Sequence, residues 1–274
     1  MGEVIAWLRE RKYLNVLLII VYFILVVAPH KRFGTFINKV IFKEFSRDQS
    51  NMVIFIIAVL ALLAYSYFFF SRARNQPDSG KLFSFMILNT LLAAVVMKLL
   101  FVNNVEVVHY PQYALFSVLL FPLIGNYTAT MVWATIGGMI DEAYQYFYLA
   151  PLDTSYYDMN DIITNIVGLS FGLLLLRAFG IEEYTEFRWK RSSIWIGLSL
   201  VVLAVIVTHA SGILSIYPND DRPFHILREW PGGFWSKVHP NITYHVIRPI
   251  EGLVLIGILW ITFSRIRPPQ ESEP

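Results

Sequence analysis

Runs of about twenty apolar residues recur along this chain, and they leave little choice of fold. At about 1.5 Å per helical residue, such a run crosses the roughly 30 Å hydrocarbon layer of a bilayer. Apolar stretches occupy 13–28, 52–70, 82–102, 110–125, 127–148, 159–176, 194–213 and 249–264. Of the 274 residues, 56% are hydrophobic and 15% charged. Soluble domains carry about 25% charged residues, so this chain lacks the polar side chains to cover a soluble domain of its size. The pattern predicts an all-α, polytopic membrane protein with about eight transmembrane helices.

Other classes drop out on charge and composition. The net charge of +2 is too small to draw a nucleic-acid partner. With no cysteine there is no disulfide, thiolate metal site or cysteine nucleophile. Arg9, Arg11 and Lys12 precede the first apolar run, but Pro29, His30, Lys31 and Arg32 follow it where a cleavable signal would have small residues. That run therefore reads as a first span.

Three parts emerge along the chain. Residues 1–81 supply two spans joined by a connector, 31–48, whose Phe33, Phe36, Ile37, Val40, Ile41 and Phe45 recur at helical spacing. That spacing suits an interfacial amphipathic helix or an ordinary packed connector. Residues 82–178 supply four spans. Residues 179–274 supply two more, separated by the aromatic-rich segment 215–248, which reads as a cap over helix ends. The fourth span is short, about 15 residues or roughly 22 Å, so it either starts below the surface, is extended by 105–109, or sits in thinned bilayer. Lys98, near the end of the third span, either snorkels to the interface or joins the polar groups described next.

The stretch 141–172 concentrates polar residues in an apolar setting. Glu142 and Gln145 are i,i+3 neighbours closing the fifth span, and Asp161 and Asn165 are i,i+4 neighbours opening the sixth. A loop with Pro151, Asp153 and Asp158 joins them. Ala134 and Gly138 on one span, and Gly168 and Gly172 on the next, form small faces along which helices can approach closely. The expectation is that the fifth and sixth spans pack on these faces. His109 opens the fourth span, so alternating spans bring His109, Glu142, Gln145, Asp161 and Asn165 to one membrane surface.

The loops 103–111 and 150–158 contain no Lys or Arg, whereas 71–81 and 180–193 contain three each. By the positive-inside rule both termini are cytoplasmic and the polar cluster faces outward, although the basic connector after the first span runs against this. The expected location is a bacterial cytoplasmic (inner) membrane.

These residues resemble the VanZ-like family of bacterial membrane proteins. The resemblance rests on His109 with Tyr113, Glu142 with Gln145, and Asp161 with Asn165 followed by Gly168 and Gly172. It covers about 82–178. Where many members have an Arg between the Gln and the Asp, this chain has Asp153 and Asp158, and Glu106 stands where many have Lys. The family's namesake is associated with low-level resistance to the glycopeptide teicoplanin. The resemblance implies a four-helix core and a site, not a reaction.

Three readings of the site stay open. It could bind a membrane lipid or a lipid-linked, cell-wall-related amphiphile through Tyr113, Glu142, Gln145, Asp158, Asp161 and Asn165, with Tyr144, Tyr148, Tyr156 and Tyr157 ringing it. It could be an enzyme on a lipid-linked envelope substrate, with His109, Glu142 and Asp161 as acid, base or, together with Asp158, ligands of a divalent cation. Or it could be a structural hydrogen-bond network with no ligand.

Overall fold

The computed structural model describes residues 1–27, 29, 36–37, 39–40, 43–149, 157–185, 193–215, 221–225, 233–239 and 242–266. Eight residues of the connector 31–48, Phe33 and Ile41 among them, lie outside these residues, as do Pro151, Asp153 and Tyr156 of the loop after the fifth span.

Two helices open the chain. α1 (Gly2–Glu10) buries Ile5 and Leu8, and α2 (Lys12–Tyr22) continues it after a break at Arg11, ending in a π-helical turn, Phe23–Val27. α3 (Arg47–Ala73) starts at a capping box in which Ser46 and Gln49 satisfy each other's backbone N–H groups. That cap begins the helix earlier than the apolar run alone predicts. α4 is Ser79–Leu99. A 3₁₀ turn, Asn104–Val108, then leads directly into α5 (His109–Ile124). The short fourth span is thus lengthened from its N-terminal side, one of the three expected solutions.

Gly125 ends α5 in the left-handed region, φ 73°, where a side chain would also strike the Tyr184 ring. Asn126 caps α6 (Tyr127–Tyr144) by accepting from the Ala129 N–H at 3.0 Å. A π-helical turn, Gln145–Leu149, extends α6. α7 (Met159–Ala178), α8 (Ser193–Ala210) and α9 (Pro249–Phe263) follow among the described residues. Among the described residues five helical segments are long and apolar enough to cross a membrane: Arg47–Ala73, Ser79–Leu99, Asn104–Ile124, Met159–Ala178 and Pro249–Ile266. Lys12–Val26 and Ser199–Ala210 are shorter apolar helices. The protein is a helical, membrane-embedded one.

The described parts of the cap segment are not helical, a local departure from the all-α expectation. β1 (Leu214–Ser215) pairs in parallel with β2 (Phe224–His225), and β3 (Trp235–His239) pairs antiparallel with β4 (Ile242–His245). Asn160, at the start of α7, docks this segment. Its amide donates to the His245 carbonyl at 2.7 Å and accepts from the Ile247 N–H at 2.8 Å. Phe224 meets Phe147 edge-on at 5.7 Å. The segment therefore touches the ends of both α6 and α7.

α7 is the centre of the bundle, buried on nearly every face, with α3, α4, α5, α6 and α9 packed around it. The expected glycine contact is corrected here. A side chain at Gly168 would meet the carbonyl of His109 at 2.8 Å, and one at Gly172 the carbonyl of Ala114 at 2.1 Å. The GxxxG face thus lies on α5, not α6. α5 presents its own backbone and the small residues Ala114 and Ser117 there, so the two helices come together. A side chain at Gly138 of α6 would instead meet the Asn165 amide at 3.2 Å and the Tyr113 ring at 3.3 Å, so side chains of α7 and α5, not their backbones, face α6 there. Ala134 is fully buried on α6.

The far end of the bundle is closed by polar stitches. Arg177 and Asp78 form a buried ion pair at 2.8 Å. The Tyr127 hydroxyl donates to the Ile181 carbonyl, and the Tyr127 N–H to Glu183. Tyr184 donates to the carbonyls of Phe121 and Pro122 and lies 4.8 Å beneath the Arg9 guanidinium.

Candidate functional site

The polar cluster is built where the first turns of α5 and α7 meet the last turns of α6. Because α5 and α7 touch through glycine, His109 and Asn165 are carried into hydrogen-bond range. His109 Nδ1 and Asn165 Oδ1 are 2.8 Å apart, and both residues are buried. His109 Nε2 lies 4.0 Å from Asp161 Oδ2. The spacing of Asp161 and Asn165, one helical turn, lets both address the two ring nitrogens. Since Asn165 Oδ1 is the acceptor here, the Nδ1–H tautomer fits this pair.

One turn along α5, the Tyr113 hydroxyl donates to Asp141 Oδ2 at 3.1 Å, and its ring stacks near that of His109, centroids 6.3 Å apart. Asp141, Glu142 and Asp161 all lie within electrostatic reach of Tyr113. Gln145 donates to Glu142 Oε1 at 2.8 Å, and both are buried. Tyr157 donates to the Met139 carbonyl at 2.6 Å, closing the site from the loop side. α2 adds Tyr22, which donates to the Gln112 carbonyl at 2.5 Å and sits within electrostatic range of Asp141. The site thus draws on α2, α5, α6 and α7.

Several expected residues act differently. Asp158 caps α7, accepting from the Asn160 N–H at 2.9 Å. Glu106 caps the 3₁₀ turn before His109, accepting from the N–H groups of Asn103 and Val102. Tyr144 and Tyr148 stack on each other, centroids 5.9 Å apart, and are exposed, so they do not ring the site. Lys98 is exposed as well. Among the described residues no three His, Asp or Glu side chains converge to hold a metal ion, which leaves the divalent-cation expectation without a ligand set.

Asp141 is the residue that sequence reasoning passed over. It is fully buried and bonds Tyr113, whereas attention fell on its neighbour Glu142. The signal was present. Ala134, Gly138, Asp141 and Gln145 recur at intervals of four, three and four, a single helical stripe.

Chemically, the arrangement joins two titratable pairs, His109 with Asp161 and Tyr113 with Asp141, across one interhelical space. The Asn165 amide nitrogen, on the same space, has no hydrogen-bond acceptor. An unpaired polar group within a membrane costs more than one in water-filled surroundings, so this nitrogen is left at a cost that nothing in the described residues offsets. No family model matches the chain, and neither the curated proteins nor the solved structures contain a match to it.

Proposed function

We propose that this is a VanZ-like protein of a bacterial inner membrane, crossing it eight times with both termini cytoplasmic, and that its polar chamber receives the polar end of a lipid-linked or cell-wall-related amphiphile. The observation that carries the reading is the Asn165 amide nitrogen, buried and unpaired beside the His109–Asp161 and Tyr113–Asp141 pairs. An oxygen seated beside the line between His109 Nε2 and Asp161 Oδ2 reaches both, and a second polar atom of the same guest satisfies the amide. The exposed stacked pair Tyr144 and Tyr148, just beyond Glu142, suits the interfacial zone where the headgroup and tail of an amphiphile meet.

The experiment is native mass spectrometry of the protein extracted in its own lipids. The wild type is expected to retain an amphiphile that Asn165→Ala and Asp161→Asn release, while thermal unfolding in detergent shows the variants still folded. If wild type and variants carry the same lipids in the same amounts, the binding reading fails.

A second reading, a membrane hydrolase or transferase, draws on the His109–Asp161 pair as a potential acid–base couple. The same measurement separates it from simple binding. An enzyme returns the bound species chemically changed after incubation, and Asp161→Asn returns it unchanged.

A further inference from the structure

Most buried hydroxyls in these helices return their hydrogen bonds to their own backbone. Thr130, Thr135, Thr164 and Ser170 each donate to the carbonyl four residues earlier. Two amides do not. Asn15 on α2 is fully buried, and neither its Oδ1 nor its Nδ2 has a partner. Gln112 on α5 is 5% exposed, and neither its Oε1 nor its Nε2 has one. Both helices belong to the same contact: α2 packs on α5, joined by the Tyr22 hydroxyl on the Gln112 carbonyl. Asn15 and Tyr22 are seven residues apart, two turns on one helix face, so Asn15 lies about 10 Å farther along that face. Gln112 in turn follows His109 by three residues and adjoins Tyr113.

Four amide atoms with no partner in a dry interface would each carry a desolvation cost that nothing offsets. Packing α2 against α5 with two leucine-sized apolar side chains would avoid it. Water resolves the conflict at each amide, since a buried water needs two to four polar partners: Asn15 offers a donor and an acceptor, and Gln112 offers the same beside the Tyr22 hydroxyl. We infer that the α2–α5 contact is a hydrated seam, holding a file of water molecules between Asn15 and Gln112 that reaches from the polar chamber roughly a third of the way through the membrane. Its ligand is water, and through it the chamber has a route for water or a proton toward the opposite face. The seam stands on Asn15 and Gln112 and does not depend on what the chamber binds.

The test uses the absence of native cysteine. Single-cysteine variants Asn15→Cys, Gln112→Cys and the lipid-facing control Leu17→Cys, a position 54% exposed on α2, are made in the full chain in membranes. Each is exposed to Ag⁺, a probe close to water in size, and then denatured and reacted with a maleimide. A hydrated seam lets Ag⁺ block Asn15→Cys and Gln112→Cys, abolishing maleimide reaction, while Leu17→Cys still reacts in full. Failure to block either thiol overturns the seam. Blocking at Gln112→Cys alone assigns the water to the chamber and overturns it too, as does blocking at Asn15→Cys alone. Should the variants not accumulate, radical footprinting of the unmodified protein decides. Phe116, 4% exposed and stacked on Tyr22 in the seam, should oxidise faster than Phe171, 6% exposed, and Phe101, 7% exposed, and equal rates refute the inference.

Discussion

α3 and α7 are both long and apolar enough to cross a membrane, yet 89% of the most apolar window of α7 is buried inside the protein and only 6% of that of α3. One helix meets protein, the other lipid. The difference shows in their composition. α3 carries Phe55, Ile56, Leu60, Leu63 and Phe68 outward, large side chains that need only an apolar solvent. α7 carries Asn160, Thr164, Asn165, Gly168, Ser170 and Gly172 inward, small or hydrogen-bonding residues whose value lies in what they touch. In a membrane the apolar residue is the ordinary one, and a helix's importance to the assembly is read from its polar and small positions.

The comparison is open to attack, and the strongest blow falls on the Arg177–Asp78 pair that fastens the end of α7. Breaking it with Arg177→Met leaves a buried carboxylate and should cost about 3–5 kcal/mol, whereas the double change with Asp78→Leu should recover most of that. Thermal unfolding in detergent measures both, and no recovery in the double variant would mean the pair is not acting as a unit. Next in size is Gly172→Ala, whose new methyl group would meet the Ala114 carbonyl and should destabilise by about 1–3 kcal/mol as overpacking does. Gly257→Ala on α9, with nothing near its added carbon, is the matched control and should be silent. Smallest of all is Leu60→Ala on the lipid face of α3, expected within about 0.5 kcal/mol of wild type. A loss there as large as that of Gly172→Ala would mean that α3 is covered by something other than lipid.

How far the chain could be read without coordinates follows from the same contrast. Apolar runs locate helices because length and hydropathy decide what crosses a bilayer, so α2 to α5 and α7 lie where the periodicity and runs put them. Helix partners are another matter. Gly168 and Gly172 announce a close contact, but a glycine stripe does not say which neighbour fills it, and the neighbour is α5. The short-range polar pairs were legible as pairs, Glu142 with Gln145 and Asp161 with Asn165. Their cross-helix partners, Asp141 on Tyr113 and Asn165 on His109, depend on helix rotation, which one residue's difference in register changes by about 100°. The strands of the cap, and the docking of that segment by Asn160, carry no local signal strong enough to be read, since two-residue strands and a lone two-stranded pair hold only through what they pack on.

α6 is not among the helices apolar enough to cross on composition alone, and it carries Asp141 and Glu142 near its end. That has a consequence for biogenesis. Such a segment partitions poorly from the translocon into lipid by itself, because ionisable side chains raise the cost of insertion. The tight turn at Gly125 and Asn126 joins it to α5 as a helical hairpin, which would let the two enter a bilayer as one unit, ahead of α7. Asp141 and Glu142, which make the site, thus also bear on how the segment that carries them reaches its place.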